Sequence, residues 1–590
     1  MPTPSVLLLI PPLTQLNTPY PSTAYLTGFL RGRGIEASQA DLGIEMVLRL
    51  FCRSGLQAVF EQVRKRDDEL PGEARQMLAV EPAYLNAIEP VIEFLQGHNP
   101  SLALLLARPG FLPQGPRFAG QRGALHHHVP CRSRIVLNGS PPCISKTWPD
   151  LIQATVSPHF ALSRYAEHIA RAASSFETII EAVAVPPTLT DQFMLESLWE
   201  HIERLNPSLV CLTVPFPGNL MVRFVLPIRS RIDDLTSLLP LGGGYATTEL
   251  RRLSDPRVFD YVDYVTLDDG ERPLLSLIEH LTEARPRTRF CRTFYRDKDR
   301  VVFANDMSDR EFSMAEIGCP TYSGLTLGRY LTILDSTNPM HRLWSEGHWN
   351  KLTVAHGCYW KQCTFCDVGL NYISRYEMTP TDRLIQQIEQ LIAETRRRGF
   401  HFVDEAAPPA ALKSLALALL ERGITISWWG NIRFEEAFSP DLCRLLAASG
   451  CIAVTAGLEA ASDRLLEKIR IIRNLKIVGV DHLAVVRSAS VRVGLSCGET
   501  NGNPQFPAAL GRKGRSHLRR KVINRIDEDA LLDRGSRVSL AGGDGGETQP
   551  SRPRADDDDI TNGHSEMFSA PGAVRRADRP CPPRVEAPRG

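Results

Sequence analysis

The segment LTVAHGCYWKQCTFCDVG, residues 352–369, carries three cysteines within nine positions, Cys358, Cys363 and Cys366. Their spacing is Cys-x4-Cys-x2-Cys, and the next cysteine in the chain is Cys443. Three thiolates on a short loop can hold three irons of a four-iron cube and leave the fourth iron open. A zinc ion would need a fourth ligand, and His356 or Asp367 stands close enough in sequence to supply one. Three ordinary thiols lining a cavity are the remaining reading. The apolar run LTVA reads as a strand, so the cysteines follow a strand end.

Working outward, residues 352–469 repeat one pattern. TPTDRLIQQIEQLIAETRRRG has helical spacing, with Thr379 as the expected N-cap, Pro380 in the first turn and Gly399 at the stop. FHFVDEAA reads as a strand, PAALKSLALALLERG as a helix ending at Gly423, and ITISWWGNIRFE as a strand. SPDLCRLLAASG is a helix capped by Ser439, and CIAVTAGLE is a further strand. Four βα units in succession predict a (β/α) barrel, which gathers the loops after its strands on one face. A barrel of six such units would need two more. The following stretch, IRIIRNLKIVGVDHLAVVRSASVRV, offers one or two poor strand candidates, so the barrel reads as partial and truncated.

The N-terminal half is also α/β. SVLLLI, PSTAYLTGFLRGRG and IEASQADLG give strand, helix and strand within about 40 residues. The pattern returns in PSLVCLTVPFPGN, in LLPLGGGYATTELRRL and in YVDYVTLDDGERPLLSLIEHL. Residues 1–285 read as one doubly wound, Rossmann-like domain with a helical insertion at about 45–200, and 286–350 as a linker. The barrel part spans 351–470. Residues 471–590 hold no Trp or Tyr and two Phe, Phe506 and Phe568, too little to bury a core, so a disordered or aberrant tail is expected. No Asp or Glu occurs from Phe94 to Pro149, which suits a basic loop or a stretch read out of frame. His126, His127, His128, Cys131 and Cys143 lie in that stretch, but nothing around them reads as a scaffold for a metal.

Charge and composition narrow the function. Lys and Arg number 68 against 67 Asp and Glu, which gives no reason to expect a nucleic-acid or membrane-surface partner. No apolar run reaches the ~18 residues of a membrane helix. VLLLIPP lacks a preceding basic residue and is too short for a signal peptide. Thirteen scattered cysteines then suit a reducing, cytoplasmic setting, where a tight cluster binds metal more readily than it forms disulfides.

GCYWKQCTFCD resembles the cluster loop of radical S-adenosylmethionine (radical SAM) enzymes, with Phe365 as the aromatic residue before the last cysteine. The first gap, Tyr359 to Gln362, is one residue longer than the usual three. The resemblance implies a 4Fe–4S cluster on Cys358, Cys363 and Cys366, with S-adenosylmethionine on the open iron. FVDEA resembles the second strand, which implies that Asp404 and Glu405 accept the amino group of S-adenosylmethionine. GNIRFE resembles the third, placing Arg433 at its carboxylate; an ion pair of Arg433 with Glu435 or Glu459 is the alternative reading. GLEAASDRLL resembles the fourth, placing Glu459 and Ser462 near the ribose or carboxylate.

The N-terminal half resembles the cobalamin (B12)-binding domain that often precedes such a barrel. Thr213 matches the serine of that domain's S-x-L turn. Gly242, Gly243 and Gly244 match its glycine pair, and a tight strand-to-helix turn would explain them equally well. The D-x-H-x-x-G loop that supplies a histidine to cobalt is absent: PPLTQLNTPYPST follows the first strand. Cobalamin would therefore bind without a protein histidine, or the domain would bind nothing. The implied activity is reductive cleavage of S-adenosylmethionine serving cobalamin-dependent methyl transfer or radical rearrangement, fed by an electron donor such as flavodoxin or ferredoxin. The alternatives are a non-catalytic corrinoid- or metal-binding protein and an inactive truncated product. No motif names a substrate.

Overall fold

The computed structural model describes residues 4–66, 70–106, 141–158, 160–162, 186–216, 237–332, 343, 347–364, 366–433, 435 and 437–457, together with two strands at 483–488 and 492–497. Its described residues form an α/β protein built on a seven-stranded and a six-stranded sheet, with a two-stranded sheet beside them.

The first sheet has the order β2-β1-β3-β4-β5-β6-β7. Its strands are β1 (Val6–Ile10), β2 (Ala37–Asp41), β3 (Leu209–Thr213), β4 (Pro240–Gly242), β5 (Tyr264–Thr266), β6 (Thr293–Asp297) and β7 (Arg300–Ala304). The first five run parallel, with β1 between β2 and β3. Alternation along β1 shows why SVLLLI is apolar throughout. Val6 and Leu8 pack with Phe29, Leu30, Leu274 and Ile278 from helices Pro21–Arg31 and Glu271–Leu281. Leu7 and Leu9 pack on the other face with Leu56, Phe60, Trp148 and Met194 from the helices between β2 and β3. A strand buried on both faces needs apolar side chains at odd and even positions alike.

Two expectations change here. The sheet does not end at 285: β6 pairs antiparallel with β5, and β7 with β6. The supposed linker 286–350 thus contains the sheet's edge. The turn RDKDR hides it, because its charges, with Lys298 at φ 55, interrupt the apolar alternation. The helical insertion holds among the described residues, and Trp148, at the end of the acid-free stretch, is fully buried against Phe60 and Tyr84. His126, His127, His128 and Cys131 lie outside the described residues, and Cys143 falls on the start of helix Pro141–Thr155.

The second sheet holds the four expected parallel strands, β8 (Asn350–Leu352), β11 (Gly399–Phe402), β12 (Ser427–Asn431) and β13 (Cys451–Gly457). Helices Thr381–Thr395, Pro409–Glu421 and Pro440–Ala448 cover one face through Leu384, Ile388, Leu415, Phe400, Phe402 and Trp428. The other face presents Lys351, His401 and Trp429, which stand side by side in register. After β13 the next two strands are antiparallel: β15 (Arg492–Cys497) pairs with β13, and β14 (Leu483–Ser488) with β15. Part of the expected tail therefore forms a hairpin on the sheet, and no fifth parallel strand follows among the described residues.

Helix boundaries separate local chemistry from tertiary chemistry. Ser439 caps its helix as expected, its hydroxyl accepting from Leu442 N–H at 3.3 Å. Thr379 does not. Pro380 is extended and is itself the cap, while the Thr379 hydroxyl donates to the carbonyl of Thr353 at 3.1 Å. Gly399 is not the stop either, because Arg396 takes the left-handed position (φ 58) and Gly399 begins β11.

The sheets meet along the loop after β1. Asn17 donates to the carbonyl of Gly347 (2.7 Å), Thr18 to that of Trp349 (2.8 Å), and Thr353 N–H to the Tyr25 hydroxyl (2.9 Å).

Candidate active site

The run LTVA does not continue as one strand. β8 ends at Leu352, and β9 (Ala355–His356) pairs antiparallel with β10 (Glu377–Met378). The cysteine loop is the connection between them, so both of its ends are pinned. Gly357, at φ 68, lets the loop leave β9: a Cβ there would lie 2.3 Å from the carbonyl oxygen of Arg375. Cys358 N–H then donates to the carbonyl of Ile373 at 3.0 Å. Lys361, at φ 51, absorbs a sharp turn within the long first gap.

Cys358, Cys363 and Cys366 form no disulfide and are of intermediate exposure, all on this loop. Burial pushes the Cys366 thiol up to about 11, with the charges of Glu405, Cys358 and Asp367 adding to it. The soft sulfur donor set suits a cube in which each thiolate bonds a different iron. No group of three or more His, Cys, Asp or Glu among the described residues is arranged to hold a single metal ion. Phe365, Glu459 and Ser462 lie outside the described residues.

The acidic pair after β11 divides. Asp404 is buried, and its carboxylate accepts from Val354 N–H (3.0 Å) and Ala355 N–H (2.6 Å). Burial pushes it up to about 7 against the pull of those bonds. Asp404, expected beside a ligand's ammonium, thus ties β11 to the turn between β8 and β9 through its carboxylate. Glu405 is exposed and near enough to Cys366 and Tyr20 to raise both pKa values.

Arg433 follows β12. Its guanidinium lies 3.7 Å from the centre of the Trp360 ring and pairs with Glu435, the alternative partner. Tyr359 donates to the same Glu435 at 2.8 Å. The two aromatics of the first cysteine gap therefore dock on the residues after β12. Glu435 enters the sequence reading only as an ion-pair partner of Arg433, and Tyr359 and Trp360 carry no role there. The signal available was the aromatic pair filling a gap one residue too long.

His356 was offered as a zinc ligand, and the structure assigns it elsewhere. Its Nδ1–H donates to the carbonyl of Arg375 (2.6 Å) and its Nε2 faces Asp269 Oδ1 (2.8 Å). With both nitrogens donating, the ring carries a positive charge and no lone pair for a metal. Arg375 pairs with the other Asp269 oxygen at 3.0 Å. Burial opposes ionisation of Asp269, but the bond to His356, then the charges of His356, Arg375 and Arg292, hold it below the usual carboxylate range. Asp367, the other candidate fourth ligand, accepts from Gly369 N–H at 3.1 Å.

Asp269 opens onto a cavity of about 290 Å³ between the two sheets. Thr213, Gly242, Gly243 and Thr266 line its first-sheet side, and Thr353, His356 and Val403 the other. It lies beyond the carboxyl ends of β3, β4 and β5, where ligands of doubly wound sheets bind. The glycines have a packing reason of their own. A Cβ on Gly243, at φ 100, or on Gly244 would come within 2.6 Å of the carbonyl of Val214 or Pro215. Gly244 starts helix Gly244–Glu249 and is not among the cavity residues.

No protein-family model matches the chain. An uncharacterized methyltransferase of Pyrococcus horikoshii is 22% identical over 288 residues, 48% of this chain and 58% of that protein. The chain therefore spans less than two thirds of that relative. Among solved structures, the radical S-adenosylmethionine methyltransferase TsrM from Kitasatospora setae, with cobalamin and a 4Fe–4S cluster bound, aligns at 13% identity and a TM-score of 0.41 over 81% of this chain and 63% of its own. The cobalamin-dependent S-adenosylmethionine radical enzyme OxsB, with aqua-cobalamin and S-adenosylmethionine bound, aligns at 16% identity and a TM-score of 0.38 over 47% of this chain and 38% of its own.

Proposed function

We propose that this chain is a radical SAM protein of the cobalamin-dependent type, acting in methyl transfer. One observation carries the proposal: a loop of three cysteines outside any disulfide is pinned at both ends beside an exposed carboxylate, Glu405, on the face that a first, doubly wound sheet covers. The curated relative, itself described as a methyltransferase, favours methyl transfer over radical rearrangement.

In this reading Cys358, Cys363 and Cys366 hold a 4Fe–4S cluster, with Phe365 beside them. When bound and reduced, the cluster supplies the electron that breaks a carbon–sulfur bond of S-adenosylmethionine. Glu405 accepts from the ammonium of S-adenosylmethionine, and Asp404 fixes the strand that presents Glu405. Arg433, held flat on Trp360, offers N–H groups to the carboxylate at the cost of its pairing with Glu435. By the resemblance of GLEAASDRLL, Glu459 and Ser462 would serve the ribose or carboxylate. The cavity at Thr213, Gly242 and Gly243 receives part of the cobalamin, without a histidine on cobalt. Residues 1–304 form the cobalamin-binding unit and residues 350–497 the radical SAM unit. A cytoplasmic flavodoxin or ferredoxin supplies electrons.

Anaerobic reconstitution with iron and sulfide tests this. A brown protein that, after dithionite reduction, releases 5′-deoxyadenosine from S-adenosylmethionine supports it. Stoichiometric zinc without a broad visible band, or a cluster that leaves S-adenosylmethionine intact, refutes it. Many turnovers per cluster would also dismiss the expectation that four parallel units are too few.

A further inference from the structure

Two ends of the cysteine loop converge on one residue of the other sheet. His356 stands two residues before Cys358, and Arg375 follows helix Asn371–Ser374, which closes the loop. Both reach Asp269, at 2.8 Å and 3.0 Å, on separate carboxylate oxygens. Asp269 is itself anchored: Arg292 donates to its carbonyl at 3.0 Å and pairs with Glu311. Glu311 in turn lies 3.7 Å from Arg375. A second tie runs the other way, from Met314 N–H to Glu377 of β10 at 2.9 Å. Within the loop's own segment, the described ties between the ends are backbone bonds such as Cys358 N–H to Ile373 O and the bond from His356 Nδ1–H to the carbonyl of Arg375. Two strands of two residues make a weak clamp by themselves.

We infer that Asp269 is a positioning residue that holds both ends of the cysteine loop in register, so that the first sheet completes the scaffold of the loop. Carboxylate, imidazolium and guanidinium are all largely buried there, with side chains 16%, 13% and 20% exposed. Charge-assisted bonds at such a place are stronger than on the surface. Their loss leaves two cations facing one another without their shared anion. Asp269 touches no thiol, so its effect reaches the cysteines only through His356 and Arg375.

The test needs no cofactor. Hydrogen–deuterium exchange of the full chain is compared for the wild type, Asp269→Asn, His356→Gln and the double variant. Amides in 357–376 should exchange on the order of tenfold faster in each single variant. Helix Thr381–Thr395 should be unchanged, and the double variant should be no faster than the worse single one, as for groups acting in one network. Unchanged loop exchange in Asp269→Asn, equal acceleration of helix Thr381–Thr395, or additive effects would each overturn the inference. A second arm rests on the proposed function. In reconstituted protein, Asp269→Asn should keep its iron but broaden or shift the electron paramagnetic resonance spectrum of the reduced cluster, and an unaltered spectrum counts against the positioning role. A wild type that takes up no iron would refute the proposed function, while the exchange arm would still decide the role of Asp269.

Discussion

His356 Nε2 lies 2.8 Å from Asp269 Oδ1, across 87 residues of sequence and between two sheets. This contact bears on a choice the cysteine spacing leaves open. A histidine whose two nitrogens both donate cannot ligate zinc, so in this arrangement His356 does not complete a closed site on the cysteine loop. It also makes the turn after β5 part of the environment of the cysteines.

The three loop cysteines should be separable from the others. Cys358→Ala, Cys363→Ala and Cys366→Ala should each lose most of the reconstituted iron. Cys443 lies on helix Pro440–Ala448 and Cys451 is buried at the start of β13, so Cys443→Ala and Cys451→Ala should keep it. Iron counted per chain decides. Equal loss in Cys443→Ala and Cys363→Ala would refute the three-thiol site.

Asp404 and Glu405 should fail differently. Asp404→Ala removes the acceptor of two buried N–H groups and should cost about 2–4 kcal/mol of stability. Glu405→Gln changes an exposed side chain and should leave urea unfolding almost unmoved, while weakening S-adenosylmethionine binding several-fold in equilibrium dialysis of reconstituted protein. A Glu405→Gln protein that binds as the wild type does would return the ammonium site to another residue.

What was legible in the sequence follows from the range of each force. SVLLLI announces a strand buried on both faces, and Ser439 a helix start, because period and cap are local chemistry. Asp404 and Glu405 look alike in FVDEA, and only the register of β11 beside the turn after β8 gives one of them two N–H donors. Thr379 looks like a cap, but the carbonyl of Thr353, which no local pattern places nearby, takes its hydroxyl. Trp360 under Arg433 and Asp269 under His356 are likewise pairings of distant segments.

Gly243 should be the least replaceable of the three glycines. Its φ of 100 is strained for any other residue, and a Cβ there would sit 2.6 Å from the Val214 carbonyl, which belongs to backbone and cannot turn aside. Gly243→Ala should destabilise by about 1–3 kcal/mol. Gly34→Ala, at φ 72 in open space, should cost less because it carries the backbone strain without the clash. Thermal melts of the two variants test the order, and a larger drop for Gly34→Ala would show that the close approach at Gly243 is relieved by movement of β3.

Lys351 gives the clearest pH signature. It sits in β8 with its side chain buried, its ammonium nitrogen bonded to Gln15 and 5.9 Å from the Tyr20 ring. Burial pushes it down to about 7 from 10.5, only partly offset by Asp41. The unfolded chain therefore binds a proton that the folded chain does not, throughout the window from about 7 to 10.5. Stability from this group must rise with pH across that window and fall as pH drops through it, by up to ~1.4 kcal/mol per unit. Lys351→Met removes the titration and keeps the bulk. Buried Cys211 and half-buried Cys319 have raised pKa values, so they act in the opposite direction as pH rises, but they do so in both proteins and cancel in the difference. Urea unfolding at pH 7.5 and 9.5 should show Lys351→Met gaining most on the wild type at the lower pH, with the gain shrinking at the higher. A difference independent of pH, or one favouring the wild type more at pH 7.5, would mean that Lys351 stays charged in the fold and that water or an anion reaches it.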